Sequence, residues 1–305
     1  MQQFEYLQFE TSNICNAKCD YCWSQNLDKE RGQMSMEDIE LILKMCGVRK
    51  LNDIRPFLNG DPLLEPRLPL ILAKVKEYSR QRTTIYTNAS MTHNRHFLTD
   101  PNLDEVHFTI SGATPKTYQD VYKSQVPFEE VEENVHWFAD RRRPNQKWFL
   151  HFVIIRKNIH EVDLWKKTFA GLGAELIVAP IVVNRDNVAA FKARQGISDE
   201  MMEKYASIDG AAHHTRTYGM PCAIWNDLTI DWTGHYLQCC MSYHYKTWNY
   251  GTIHEKTLDE VWAEIKANKM QNKVCDSCNL KADNWRQILG IEAETPLIQI
   301  TQRRC

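Results

Sequence analysis

The sequence has no run of about 18 apolar residues, so nothing in it reads as a membrane-spanning helix. It also lacks an excess of either charge: 37 Lys and Arg stand against 39 Asp and Glu, a net charge of −2. That balance excludes a general pull toward nucleic acid or anionic membrane. The N-terminus, MQQFEYLQFE, lacks the basic and apolar pattern of a secretory signal, and a cytoplasmic location is the expectation. Low-complexity segments are absent. Cysteine is nearly missing from the middle of the chain, where only Cys46 lies between Cys22 and Cys222. Nine of the ten cysteines therefore sit at two ends, and clustered cytosolic thiols suggest metal before disulfide.

The first two-thirds alternates strand and helix signals. Strand-like runs lie at Phe4–Glu10, Ile54–Leu58, Thr83–Thr87, Glu105–Ile110, Trp148–Ile155 and Ala174–Val183. Helical patterns lie between them. Met36, Ile39, Leu43 and Cys46 make an apolar stripe after the capping box that starts at Ser35. Further helices are expected at Leu68–Ser79, from Pro115 after Thr114, and at Val162–Leu172. Six βα repeats imply α/β architecture with a parallel sheet curled into an open (β/α)6 partial TIM barrel. Its active face is formed by the loops after the strands. Residues 1–185 make this barrel and 186–214 a connector. Residues 215–285 make a small C-terminal domain, with a hairpin around Thr233-Gly234 and a helix carrying Val261, Trp262 and Ile265, and 286–305 a tail.

After the first strand comes Cys15-x3-Cys19-x2-Cys22, with Tyr21 before the third cysteine. Three thiolates on one loop hold three irons of a cubane and leave the fourth open to another ligand. The bland alternatives are a three-cysteine zinc site or buried thiols. Here the sequence resembles the radical S-adenosylmethionine (radical SAM) superfamily. The resemblance implies a [4Fe–4S] cluster whose open iron is chelated by S-adenosylmethionine, which is cleaved on reduction to a 5′-deoxyadenosyl radical. It also implies an external electron donor such as flavodoxin or ferredoxin. Tyr21 is then expected beside the cluster and near the bound nucleoside.

Later strand ends extend the resemblance to about residue 185. Asn59-Gly60-Asp61-Pro62 after the second strand is similar to the family's "GGEP" motif, which meets the amine of S-adenosylmethionine. Asp61 keeps the charge but has a shorter reach, so amine recognition is expected to lean on backbone carbonyls. Asn88 is similar to the family's "TNG" strand end, Ser111 to a ribose-contacting strand-four motif, and Asn158 to an Asn-bearing fifth strand end.

Downstream, Cys222, the Cys239-Cys240 pair and Cys275-x2-Cys278 resemble the auxiliary-cluster domains called SPASM and Twitch. The resemblance implies one auxiliary [4Fe–4S] cluster, with a four-thiolate zinc site as the competing metal. Adjacent strand residues face opposite ways, so one of Cys239 and Cys240 ligates, and the Gly234-x4-Cys239 spacing favours Cys239. Cys240 is then core or a hydrogen donor to a substrate radical, and Cys305 is a second candidate donor, an extra ligand if the tail folds back, or a spectator. Cys46 reads as core, Arg141–Arg143 as a solvated helix end, and His213-His214 as an unpartnered pair.

The function expected is hydrogen abstraction from a small molecule (a sugar or amino-acid derivative) or a peptide, with net oxidation using the auxiliary cluster. Only fourteen residues precede Cys15, which favours a small molecule over a leader-dependent peptide. The alternatives are a radical epimerase with a cysteine hydrogen donor, and a metal-binding scaffold without catalysis.

Overall fold

The computed structural model describes residues 4–22, 30–47, 49–155, 157–180, 226–240 and 250–268. Six parallel strands form in the expected order: β1 (Tyr6–Phe9), β2 (Asp53–Arg55), β3 (Thr84–Thr87), β4 (Glu105–Thr109), β5 (Lys147–Ile154) and β6 (Glu175–Pro180). Strands β3 to β6 pair consecutively, and β1 pairs with β2. A single parallel bridge between Ile54 and Thr83 joins the two groups and curls them into an open α/β barrel.

Helices cover the outer face. These are α1 (Met36–Cys46), α2 (Leu68–Tyr78), α3 (Pro115–Tyr122), α4 (Phe128–Arg141) and α5 (Val162–Phe169). Ser35 caps α1 by accepting from the Asp38 N–H, and Thr114 caps α3 by accepting from Thr117. Val106 and Phe108 of β4 point outward, with Phe108 edge-on to Phe138 of α4. Phe152 of β5 does the same against Trp165 of α5. Strand alternation therefore turns Glu105, His107 and Thr109, and Phe149 and His151, toward the barrel interior.

The C-terminal hairpin forms, but it is not set apart from the barrel. Its first strand, β7 (Asp227–Ile230), lies parallel to β1, with Tyr6 opposite Asp227 and Phe9 opposite Ile230. It turns back into β8 (Tyr236–Leu237) through a loop built on Asp231, whose Oδ1 accepts from Thr233 N, His235 N and the Thr233 hydroxyl. Gly234 sits there at φ +82°, a conformation that excludes most side chains. Helix α6 (Leu258–Asn268) starts from a reciprocal capping box, Thr257 with Glu260. Val261, Trp262 and Ile265 share one apolar core with Phe4, Leu7, Leu228 and Cys46. No helix among the described residues is long and apolar enough to cross a membrane.

Glu161 braces the rim between β5 and α3. Its buried carboxylate accepts from Ala113 N at 2.7 Å and from the Thr114 and Thr117 hydroxyls at 2.5 and 2.6 Å. Burial alone would raise its pKa, but these donors outweigh burial and hold the carboxyl below its usual value. The stability it supplies is therefore present above about pH 4.5 and lost as pH falls through the lower folded value. Glu161→Gln is expected to cost about 1–2 kcal/mol at pH 7 and to flatten the acid limb of stability against pH, read by urea denaturation.

Candidate active site

The cysteine loop leaves the C-terminal end of β1 and is tied down on three sides. Lys18 N and Asp20 N donate to the carbonyls of Tyr122 and Val121 at the end of α3, each at 2.9 Å. Asp20 pairs with Lys123 and Lys157. From the other side, Asp61 N donates to Ile14 O at 2.9 Å. The approach here is close: a Cβ on Gly60 would lie 2.4 Å from Ser12 O, so only glycine fits without backbone movement.

Cys15, Cys19 and Cys22 are half-buried on this loop, and none is in a disulfide. Burial pushes the Cys15 thiol up to about 12, with Asp61 and Cys22 adding to it. Burial also pushes Cys19 well up, reinforced by Cys22 and Cys15. Three thiols on one loop, where burial penalises uncompensated thiolates at Cys15 and Cys19, form a donor set that suits a cationic iron centre. The loop fits the three-thiolate [4Fe–4S] site expected of it.

Tyr21 is positioned by a phenol chain. Its hydroxyl donates to Tyr122 Oη at 2.8 Å, and Tyr122 donates to Thr109 O at 2.6 Å while accepting from Ser111 N at 3.0 Å. The cysteine loop is thereby locked to the end of β4. Asn88 bridges the other side, with Nδ2 4.0 Å from Cys15 Sγ and 3.1 Å from Asn16 Oδ1. Asn88 and Tyr21 thus each reach a thiol of the loop, Asn88 at Cys15 and Tyr21 at Cys19.

Three other expected residues hold backbone groups within the chain itself. The Asp61 carboxylate points inward, accepting from Leu63 N, Asn88 N and the Thr87 hydroxyl, all at 2.9 Å. Burial raises its pKa, opposed by those same donors. Its short side chain caps its own turn and fixes the end of β3 rather than reaching outward. Ser111 Oγ accepts from Val153 N at 3.0 Å, and Asn158 Nδ2 donates to the carbonyls of Ser111 and Val153 at 2.9 Å each. Both residues are fully buried staples between β4 and β5. Asp61→Asn places an amide N–H against a backbone N–H, and a loss of about 1–3 kcal/mol in chemical denaturation is the expected result.

Sequence reasoning missed Glu10 and Trp232. Glu10 is buried at the end of β1, where Oε1 accepts from Asn59 N and Nδ2 at 3.0 and 2.8 Å. Its other oxygen accepts from Trp232 N at 3.3 Å. The Trp232 ring lies on Gly32, where a Cβ would come within 2.3 Å of it. Asn13 holds Gly32 in turn, accepting from its N–H at 2.9 Å. The C-terminal hairpin thus packs against the base of the cysteine loop. The only available signal was a buried carboxylate at a strand end, too common to single out. Cys239 and Cys240 are half-buried just beyond β8, while Cys222, Cys275, Cys278 and Cys305 lie outside the described residues.

The model of the Radical SAM superfamily matches residues 9–167, more than half of the chain. That of SPASM, an iron-sulfur cluster-binding domain, matches residues 222–279. A probable GTP 3′,8-cyclase of Methanococcus maripaludis is 30% identical over 35% of this chain and 36% of its own length. Its counterpart from Methanothermobacter thermautotrophicus is 25% identical over 51% of this chain and 50% of its own. The chain thus spans half or less of the length of these curated relatives.

Solved structures share the fold at low identity. BtrN in complex with AdoMet and 2-DOIA aligns over 91% of this chain and 94% of its own, with TM-score 0.57 and 15% identity. Streptococcus suis SuiB bound to precursor peptide SuiA aligns over 92% and 70%, with TM-score 0.65 and 17% identity. Native anSMEcpe with bound AdoMet aligns over 87% and 82%, with TM-score 0.65 and 15% identity.

Proposed function

This chain belongs to the radical SAM superfamily, and from that premise we propose that it abstracts hydrogen from a polar substrate for a net oxidation. The observation that carries the reading is the half-buried Cys15, Cys19 and Cys22 loop, locked to the strand ends of the barrel. The family's cofactors are a [4Fe–4S] cluster and S-adenosylmethionine, and the SPASM region adds auxiliary iron–sulfur binding. When bound, they supply a 5′-deoxyadenosyl radical able to take hydrogen from a C–H bond.

The chain's own residues hold and orient. Cys15, Cys19 and Cys22 are the thiolates for the first cluster. Gly60 and Pro62 shape the turn facing the loop, and Asn88 sets the Cys15 side. Asp61, Ser111 and Asn158 keep the strand ends in place beneath the cosubstrate. Cys222, Cys239, Cys275 and Cys278 are the ligands we assign to one auxiliary cluster, with Cys240 as the alternative to Cys239. An external electron donor, flavodoxin or ferredoxin, is the expected source of the first electron. The peptide and small-molecule ligands named for SuiB and BtrN keep both substrate classes in view.

Solvent deuterium separates the oxidation from an epimerisation. A cysteine thiol exchanges with solvent, so an epimerase places deuterium in the product at carbon, whereas oxidation with electron transfer to a cluster does not. The expected result in D2O is a product two hydrogens lighter with no carbon-bound deuterium. A product of unchanged composition carrying deuterium would make Cys240 or Cys305 the hydrogen donor instead.

A further inference from the structure

The turn after β2 is joined to the cysteine loop by a hydrogen bond at each of its ends. At one end the Thr11 hydroxyl donates to Pro56 O at 2.9 Å, and at the other Asp61 N donates to Ile14 O at 2.9 Å. Between these ends Asn59 is gripped by a side chain. Its N–H and its Nδ2 both donate to Oε1 of Glu10, at 3.0 and 2.8 Å. A carboxylate only accepts, so the nitrogen branch of the Asn59 amide faces Glu10 and the oxygen branch faces away.

Glu10 is fully buried. Leu7 and Phe9 share an apolar core with Ile39 of α1 and Val261 of α6, so alternation turns Glu10 to the inner face at the end of β1. A carboxylate buried there is costly unless donors meet it. Two come from Asn59, and a third comes from 222 residues further along the chain, where Trp232 N donates to Oε2 at 3.3 Å. The Glu10 N–H donates in turn to Ile230 O at 2.9 Å. One residue thus holds the turn after β2 with one oxygen and the C-terminal hairpin with the other.

The hairpin reaches Glu10 from a defined seat. Strand β7 runs along β1 until Ile230 stands opposite Phe9, and the Asp231 carboxylate then shapes the turn. The Trp232 ring rests on Gly32, which Asn13 holds through Gly32 N to Asn13 Oδ1 at 2.9 Å and Asn13 N to Gly32 O at 3.2 Å. The two oxygens of one carboxyl group move together, so a displaced Trp232 N–H re-aims Oε1 and with it Asn59. The ties at Pro56 and Asp61, and those of the cysteine loop to Val121 and Tyr122, do not run through Glu10. A shift of the hairpin therefore reaches the turn without disturbing the thiols.

We propose that Glu10 is a positioning residue that couples the seating of the C-terminal hairpin to the affinity for S-adenosylmethionine, acting through Asn59. This coupling rests on the reading of the Asn59–Pro62 turn as the cosubstrate turn. Linkage makes it reciprocal: a seated hairpin raises cosubstrate affinity, and bound cosubstrate steadies the hairpin. Glu10 acts on binding rather than on the chemical step, so its loss changes KM and leaves kcat.

The test uses the reconstituted full-length holoprotein, with S-adenosylmethionine binding measured by calorimetry and 5′-deoxyadenosine formation followed against cosubstrate concentration. Glu10→Gln keeps the shape but sets an NH2 group against either Asn59 or the Trp232 N–H, so one of the two ties is lost. The expected result is a Kd and a KM for S-adenosylmethionine about tenfold higher, with kcat and iron content unchanged. Gly32→Ala reaches the same contact from the hairpin side, since its Cβ would lie 2.3 Å from the Trp232 ring. It is expected to raise Kd as well, and to add nothing in the double variant, because both changes act through one carboxylate. Hydrogen exchange at the Trp232 amide gives the reciprocal readout: cosubstrate slows it in the unaltered protein and leaves it unchanged in Glu10→Gln. An unchanged Kd in Glu10→Gln, a fall in kcat at constant KM, or additive effects of the two substitutions would overturn the coupling. If Glu10→Gln fails to load iron, iron-loaded Gly32→Ala decides: a raised Kd supports the coupling and an unchanged one overturns it. An unaltered holoprotein that binds no S-adenosylmethionine would contradict the cosubstrate reading itself, whereas binding indifferent to Glu10→Gln contradicts the coupling alone.

Discussion

Changing Cys15, Cys19 and Cys22 together to alanine is expected to remove about four of about eight irons, one cubane of two, and to abolish S-adenosylmethionine cleavage. The loss in rate is on the order of a thousandfold or more, because ligands are removed rather than outer-shell partners, which alone cost about 10–100-fold. The loop itself should survive. Its anchors are backbone bonds to Val121, Tyr122 and Ile14, and none of them runs through a thiol. Circular dichroism and iron analysis on one preparation separate the two effects. About four irons remaining, with cleavage lost and helix content unchanged, is the expected outcome. Zinc remaining in their place would make the second site structural, and unchanged cleavage would exclude the loop as the cluster site.

Trp262→Ala is expected to cost about 3–5 kcal/mol. The indole is buried and edge-on to Phe4, with ring centroids 5.8 Å apart, in the core that also holds Leu7 and Leu228. Its loss leaves a cavity beneath β1, the strand that launches the cysteine loop. Hydrogen exchange at the Leu7 and Phe9 amides should therefore quicken along with exchange in α6. Faster exchange confined to α6 would mean that the C-terminal segment folds as a unit of its own.

The barrel was legible because each of its βα repeats is local. A strand of alternating or continuous apolar residues, a polar turn and a capped helix lie within about 30 residues of one another. Ser35, Thr114 and Thr257 all cap the helices that the sequence places after them. The family was legible because the Cys15-x3-Cys19-x2-Cys22 spacing and the strand ends after it stand in one serial order.

The rest depends on contacts between distant residues. Nothing near Asp227 announces that β7 will lie against β1, since the pairing joins strands more than 200 residues apart. Glu10, joined to both Asn59 and Trp232, was hidden for the same reason. Asp61, Ser111 and Asn158 were found at the right strand ends, but the direction of a short polar side chain follows from which backbone N–H and C=O groups surround it. In all three, internal donors and acceptors take up the polar atoms. The interior histidines follow from alternation once the outward residues are known, and from sequence alone the parity of β4 and β5 was open.

The most direct test of the central claim is to reduce the anaerobically reconstituted protein with dithionite in the presence of S-adenosylmethionine and to quantify 5′-deoxyadenosine and methionine. Equal amounts of both, formed only by protein with intact Cys15, Cys19 and Cys22, are the predicted result. No 5′-deoxyadenosine from iron-loaded protein with any reductant would contradict the radical chemistry and leave a metal-binding barrel.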